Sequence, residues 1–334
     1  MPIHPAAVST AGVISLICLL GLSACGQPSS SERPEAFADP SRDTASDGVT
    51  RVPASAPGMV AVQRPVRVGV LAIDSALSMH KRYQPLIDYL AETLDRPVEL
   101  VALTQDSQFT AVAAGEIDFI ATNPLAAVQV QRFYHTEFLV THSRPRSGSE
   151  FSGLIIARAD SALQSLEDLR GQRVACVDFE TAAAGCLFQI HHLRQAEIDP
   201  FKDFGEFIEN PSQDSIVLAV LNRTIDAGFI RTGQLEKMVK NGLLPDADGI
   251  KILDQARDDF VYPHTTTLYP EWPLAALSDT DPALSDAVGA ALLAMPPDHP
   301  ALAAANLEGF VDAVNYRPID ELIETLQLKS WDAD

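Results

Sequence analysis

Basic residues are scarce in this chain: 24 Lys and Arg stand against 45 Asp and Glu, a formal net charge of -21. That balance argues against nucleic acid and acidic lipid headgroups as partners, because both are polyanions. It also repels small anions at long range, so anion affinity must come from local dipoles and a few basic groups. Screening over roughly 8–10 Å at ordinary salt makes such an arrangement workable. Long apolar runs are missing too: Ala11–Leu22 is mainly apolar but too short to span a bilayer as a stable helix, and no later stretch is a candidate. Signatures of catalysis are equally lacking. There is no Gly-x-Ser-x-Gly turn and no Walker-type glycine loop, and the adjacent His191 and His192 face different directions on a helix, so they make no metal pair. The expectation is a protein that is not an enzyme and uses neither cofactor nor metal.

What remains is a globular composition, 46% hydrophobic and 21% charged, over 334 residues, enough for two ordinary domains. The amino terminus reads as a targeting segment: Leu22-Ser23-Ala24-Cys25 resembles a bacterial lipobox, although Met1–Thr10 carries no Lys or Arg. The resemblance implies a leader over 1–24, cleavage before Cys25, a lipid on its thiol, and, with Gly26 next rather than Asp, the outer membrane. Residues 25–64, rich in Ser, Pro, Ala, Asp and Glu, form a flexible tether.

The folded part alternates strands and helices. Val66–Ile73, Val98–Leu103, Ile117–Thr122 and Phe138–His142 read as strands. Tyr83, Leu86, Ile87, Leu90 and Leu94 mark one apolar helix face between the first two, and Asn123-Pro124 starts another helix. This order implies a largely parallel sheet covered on both faces. A polar turn near 144–150 leads to a second unit of similar plan: strands Gly153–Arg158, Arg173–Val177, Glu206–Ile208 and Ala227–Ile230, with helices at Gln213–Asn222 and Thr232–Asn241. After Ile250–Leu253 comes an extended aromatic segment, Phe260–Pro273, then helices near Pro282–Met295, His299–Leu307 and Ile319–Leu328. The reading is two doubly wound α/β lobes joined by two crossover segments: 65–145 with 260–334, and 146–259. A cleft lies between them that closes by hinge motion around a ligand.

The binding function is sought at Ser165–Leu193, a short helix closed by Gly171, a strand, a turn and a second helix. In an open α/β sheet, ligands sit where a strand's carboxyl end enters a helix, and the amides of the first helical turn favour an anion. Thr181, Ala183, Ala184, Gly185 and Cys186 occupy that turn, which is expected to open into the cleft with its amide hydrogens free. Cys176 and Cys186 either form a structural disulfide, as exported proteins often do, or leave Cys186 as a ligand-contacting thiol suited to a thiophilic species such as arsenite, or are inert and buried. Asp74, Ser75 and Asn123 follow strands at cleft positions or simply cap the next helices. Arg231 supplies the positive charge an oxyanion needs or sits in a surface ion pair. His264 and Thr265 reach the ligand from the crossover or are structural; Tyr262, Tyr269 and Trp272 wall the pocket or fill the core.

Several motifs carry a family resemblance over about Arg67 to Lys329: R-Y-Q-P-L-I-D-Y-L at Arg82–Leu90, G-E-I-D-F at Gly115–Phe119, S-L-E-D-L-R-G-Q-R-V-A at Ser165–Ala175, A-A-A-G-C-L at Ala182–Leu187, and the helix from Gln213 ending in T-I-D-A-G. Together these resemble the phosphate, phosphite and phosphonate-binding branch of periplasmic solute-binding proteins. His264–Pro273, Ala291–Pro300 and Asn315–Leu322 are similar to the sensor domains of tetrathionate-sensor-type histidine kinases. The resemblance implies a type II-like periplasmic-binding-protein fold, a small oxyanion ligand, and an inner-membrane ABC permease or sensor histidine kinase as partner. Phosphonate binders of this branch carry a Ser-Thr-Ser-Gly-Tyr turn where this chain has Ala182-Ala183-Ala184-Gly185-Cys186. Gln213 stands in place of a family histidine, beside a retained Asp214. Each lost hydrogen bond to a charged group is worth roughly 1.5–3 kcal/mol, so tight phosphonate binding is not expected.

Overall fold

In a computed structural model, residues 64–73 and 75–327 are described. The leader, Cys25, nearly all of the tether and the site candidate Asp74 lie outside the described residues. The first lobe opens with β1 (Val66–Leu71), α1 (Ala76–Thr93), β2 (Val98–Leu103), α2 (Ser107–Ala113), β3 (Phe119–Ala121), α3 (Pro124–Tyr134) and β4 (Glu137–Ser143). Helix α1 forms because Met79, Tyr83, Leu86, Ile87 and Leu90 recur at helical spacing and all bury against the sheet, while the Ser75 hydroxyl accepts the Ser78 amide at its start.

A short strand β5 (Glu150–Phe151) leads into the second lobe: β6 (Gly153–Arg158), β7 (Arg173–Cys176), α4 (Phe188–Gln195) with a π-helical turn before it at Ala183–Leu187, α5 (Pro200–Asp203), β8 (Glu206–Glu209), α6 (Gln213–Leu221), β9 (Ala227–Arg231), α7 (Gln234–Lys240) and β10 (Ile250–Leu253). The chain then returns through β11 (Tyr269–Pro270) and β12 (Pro273–Ala276), followed by α8 (Pro282–Leu293), α9 (Pro300–Ala305), β13 (Gly309–Asp312) and α10 (Arg317–Leu326).

The six-stranded sheet runs β13-β4-β12-β3-β1-β2 and the five-stranded sheet β10-β6-β9-β7-β8. Each has a parallel core of three strands, β2-β1-β3 and β8-β7-β9. Beside these cores the sheets are antiparallel, which corrects the largely parallel arrangement expected from the alternation. The return segment inserts β12 between β3 and β4, against the direction of both, and β6 runs against β9. Strands β5 and β11 pair antiparallel, Phe151 opposite Tyr269, so the two crossings travel side by side.

One apolar core joins β1 and α1 to Leu274, Val288 and Leu302. A second extends from Leu125 and Val128 of α3 through Phe151 into the second lobe at Leu187 and Phe188, and on to Ile319 and Leu322 of α10. The lobes are therefore packed directly on one another. Among the described residues, no helix is long and apolar enough to cross a membrane.

Candidate functional site

The sheet registers set which strand ends lie together. In the first lobe β1 and β3 run parallel and β12 runs against β3 and β4, so the ends of β1, β3 and β4 share one edge with the start of β12. Ser75, Asn123, Arg144 and Glu271 lie just beyond that edge. In the second lobe the ends of β7, β8 and β9 share an edge with the start of β6, Gly153 opposite Arg231. The two edges meet, because Arg231 Nη2 donates to Glu271 Oε1 at 3.0 Å.

After β7 the chain turns on Asp178, whose carboxylate accepts the Glu180 and Thr181 amides and the Thr181 hydroxyl at 2.7–2.9 Å. Thr181 therefore spends its hydroxyl within the turn. The helix that follows opens with a π turn: the Leu187 amide donates to the Ala182 carbonyl, and the Phe188 amide to that of Ala183. π turns of this kind recur at functional sites. Gln189, fully buried, donates from Nε2 to the Ala184 carbonyl at 2.7 Å and also reaches Leu154 and Ile230, tying the turn to β6 and β9. A Cβ at Gly153 would lie 2.4 Å from that side chain, so only glycine lets it in.

The alanine turn is more enclosed than the sequence suggests. Ala183 and Ala184 are 5% and 4% exposed and their methyl groups belong to the core that spans the lobes. Val177 lies against Gly185, its Cγ2 only 2.7 Å from where a Cβ would stand. The turn thus offers a ligand backbone and no side-chain hydroxyl. Cys176 and Cys186 are joined in a disulfide, Cα–Cα 5.0 Å, with both residues fully buried. This corrects the thiol alternative: a bonded, buried sulfur presents no thiolate, so neither arsenite capture nor thiol chemistry at Cys186 has a nucleophile here.

Gln213 and Arg231 are brought to the turn. The Arg231 amide donates to Gln213 Oε1 at 2.8 Å, which leaves Gln213 Nε2 directed to Gly185, 3.5 Å from its would-be Cβ. Asp214 does not join them, since its carboxylate accepts Gln234 Nε2 and so links the starts of α6 and α7. Ser75 and Asn123 act as helix caps, on Ser78 and Ala126 respectively. His264 and Thr265 are buried pins. His264 Nδ1 lies 2.7 Å from the Thr266 carbonyl and Nε2 3.0 Å from Asp258, while the Thr265 hydroxyl donates to Leu253 and accepts the Ile155 amide. Tyr269 and Trp272 are core residues, 2% and 4% exposed. Tyr262 instead lies half-buried beneath Arg146, whose guanidinium is 5.1 Å from its ring centre.

Sequence reasoning missed the charged group beside Arg231. Glu271 has no exposed side-chain surface, and its Oε2 lies 3.5 Å from Arg144 Nε. Burial acts to lower the Arg144 value, but Glu271 and Tyr83 outweigh it and hold the guanidinium above its usual range. At Arg231 burial wins, aided by Arg144 and Arg82, and Glu271 only partly offsets the downward shift. His142, 1% exposed, is pushed well below its ordinary value by burial first and then by the same two arginines. The one available signal was an acid set between aromatic and proline residues, Pro270-Glu271-Trp272-Pro273, on a segment that crosses between lobes.

Among the described residues, no cluster of His, Cys, Asp and Glu could hold a metal ion. Cavities of about 610 and 500 Å³ lie elsewhere, and no residue of the six-stranded sheet lines either.

Residues 68–316 match the family described as ABC transporter, phosphonate, periplasmic substrate-binding protein. The tetrathionate sensor histidine kinase TtrS of Salmonella typhimurium is 28% identical over 239 residues, 69% of this chain and 39% of TtrS. The chain therefore spans well under half the length of that relative. Among solved structures, XAC2383 from Xanthomonas citri bound to ATP superposes with a TM-score of 0.65 at 20% identity, covering 80% of this chain and 99% of that one. PhnD1 from Prochlorococcus marinus in complex with methylphosphonate gives 0.64 at 18%, covering 79% and 98%. At such identities these two establish the two-lobed fold alone. With 249 consecutive positions matched, the chain belongs to the periplasmic substrate-binding protein family of phosphonate ABC transporters.

Proposed function

We propose that this chain captures a small oxyanion between its lobes and delivers it to an inner-membrane ABC importer, standing off the outer membrane on a lipid attached at Cys25. The observation that carries the reading is the meeting of the Ala183–Cys186 turn with the Gln213 carboxamide, which the Arg231 amide holds at the end of β9, the strand end from which the Arg231 guanidinium extends to Glu271. Amides at the start of a helix carry a fixed partial positive charge, and a guanidinium adds charge-assisted hydrogen bonds. Without side-chain hydroxyls the turn is poorly matched to a compact, strongly hydrated phosphonate head. It suits an oxyanion with more diffuse charge, whose desolvation is less costly.

A second reading rests on the identity to the tetrathionate sensor TtrS. In it the bound oxyanion is presented to a membrane histidine kinase rather than to a permease. Thermal shift with methylphosphonate, phosphate, thiosulfate and tetrathionate tests the ligand class. A binder at a hundredfold excess over its Kd stabilises the fold by about 2.7 kcal/mol, a rise of about 5 °C for a folded part of this size. No shift from any of the four at millimolar concentration would remove the oxyanion reading. Cross-linking of the ligand-loaded protein in membranes then separates a permease from a kinase as the partner.

A further inference from the structure

Three stretches far apart in sequence meet where the chain crosses between lobes: Arg82-Tyr83 of α1, Arg144 after β4, and Glu271-Trp272 before β12. Glu271 is the centre of the group. Its carboxylate receives Arg231 Nη2 at 3.0 Å and lies 3.5 Å from Arg144 Nε. Its amide donates to the Ser149 carbonyl on the other crossing at 2.8 Å, and its own carbonyl accepts the Tyr316 hydroxyl at 2.7 Å. One residue is thus tied to both crossings, to the end of β9 and to the residue that leads into α10.

A carboxylate without solvent is tolerated only when it is paired. Here the pairing is asymmetric. Arg144 is enclosed, 7% exposed, whereas the Arg231 side chain keeps 25% of its surface open. Arg231 lies with its guanidinium carbon 5.1 Å from the Phe151 ring centre, and among the described residues its Nε and Nη1 have no partner. An arginine on its own samples many rotamers and loses that freedom when it binds. Glu271 on Nη2 and Phe151 on one face fix this one in advance, leaving Nε and Nη1 as donors.

We propose that Glu271 is a positioning residue for anion binding. It holds the Arg231 guanidinium by Nη2 so that the remaining donors are left for the ligand, and through Arg144 it anchors that arginine to the interlobe crossing. The inference rests on the oxyanion reading of the cleft, with Arg231 as its cation. It also gives Arg144 a role without ligand contact: a second cation on Glu271, 3.5 Å from its Oε2, that shares the carboxylate with Arg231.

Calorimetric titration of the full chain with tetrathionate and with methylphosphonate tests it as a double-mutant cycle. Arg231→Ala is expected to weaken binding roughly 10- to 100-fold, the equivalent of one charge-assisted hydrogen bond. Glu271→Gln is expected to weaken it nearly as much, and the double variant no further than Arg231→Ala alone. Glu271→Asp keeps the charge and draws it back by one methylene, so it supplies a folded variant with an intermediate loss should Glu271→Gln fold poorly. Equal affinity of Glu271→Asp or Glu271→Gln and the unmodified protein overturns the positioning role, as does a double variant whose loss is the product of the two single losses. If Arg231→Ala binds undiminished, it is the oxyanion reading that has lost its cation, and the inference falls with it.

Discussion

Joining Cys176 to Cys186 closes a loop of ten residues across the turn on which the anion reading depends. In the chain-entropy account, a cross-link of that span restricts the unfolded ensemble by about 9 cal/mol/K, or about 2.7 kcal/mol at 25 °C. Unfolding entropy scales at about 2.1 cal/mol/K per residue, so over the roughly 260 folded residues the loss corresponds to a Tm lower by about 5 °C. The assay is differential scanning calorimetry of the Cys176→Ala, Cys186→Ala double variant against the oxidised protein, with a third sample reduced under denaturant and refolded in reductant. Alanine is the right replacement because both sites are fully buried and a serine hydroxyl would add its own desolvation cost. Both perturbed samples are expected to melt lower, the alanine variant slightly more because it also loses two buried sulfurs. A reduced sample that titrates two extra thiols yet melts with the oxidised protein would refute the assignment of stability to this cross-link.

Two further perturbations follow from the buried polar groups. Tyr316→Phe removes the hydroxyl that donates to the Glu271 carbonyl at 2.7 Å and lies 2.9 Å from the Thr141 hydroxyl. The two buried groups left behind should cost about 1–3 kcal/mol in denaturant unfolding, and an unchanged midpoint would argue against that network. For His142 the folded value lies below the unfolded one, mainly through burial, so its stability contribution is present above about pH 6.5 and lost as pH falls through the folded value. Between those limits the slope is about 1.4 kcal/mol per pH unit for one proton. His191 is shifted the same way by burial and adds to the slope, so His142→Gln should flatten the acid limb without abolishing it, and an unaltered limb would contradict the buried, neutral state.

Much of the fold can be read from periodicity because most elements carry their own signal. Met79 to Leu90 marks α1, Val98–Leu103, Gly153–Arg158 and Ile250–Leu253 stand as compact apolar runs, and proline at the first turn marks α3, α8 and α9. Strand β12 is different. Pro-Leu-Ala-Ala has neither the length nor the β-branched residues of a central strand, and only the flanking strands β3 and β4 make it one. Strand β13, Gly-Phe-Val-Asp, is equally short and takes its place at the sheet edge from β4 alone. At the site, residues within one loop, Thr181 to Cys186, can be grouped from sequence, and so can strand-end residues such as Arg231. The Arg144–Glu271–Arg231 group cannot, because its members lie up to 127 positions apart and meet only when two crossings run side by side.

The overall charge and the local site pull on an anion in opposite directions, and ionic strength separates them. A chain of net charge -21 repels a dianion at distances beyond the site. The attraction of Arg231 and the turn amides acts over a few ångströms. At 0.01 M salt the screening length is about 30 Å and the whole acidic surface is felt; at 0.15 M it is about 8 Å and only nearby groups remain. The association rate of tetrathionate is therefore expected to rise with added salt, the reverse of a positively steered ligand. Dissociation should change less, because Glu271 has no exposed side-chain surface and Arg231 keeps only a quarter of its own, so solvent ions reach the contact from one side alone. Stopped-flow measurements from 0.01 to 0.15 M salt decide the matter. An association rate that falls over that range would mean that a positive field reaches well outside the lobes, and that the short-range attraction of Arg231 is not what the anion reading stands on.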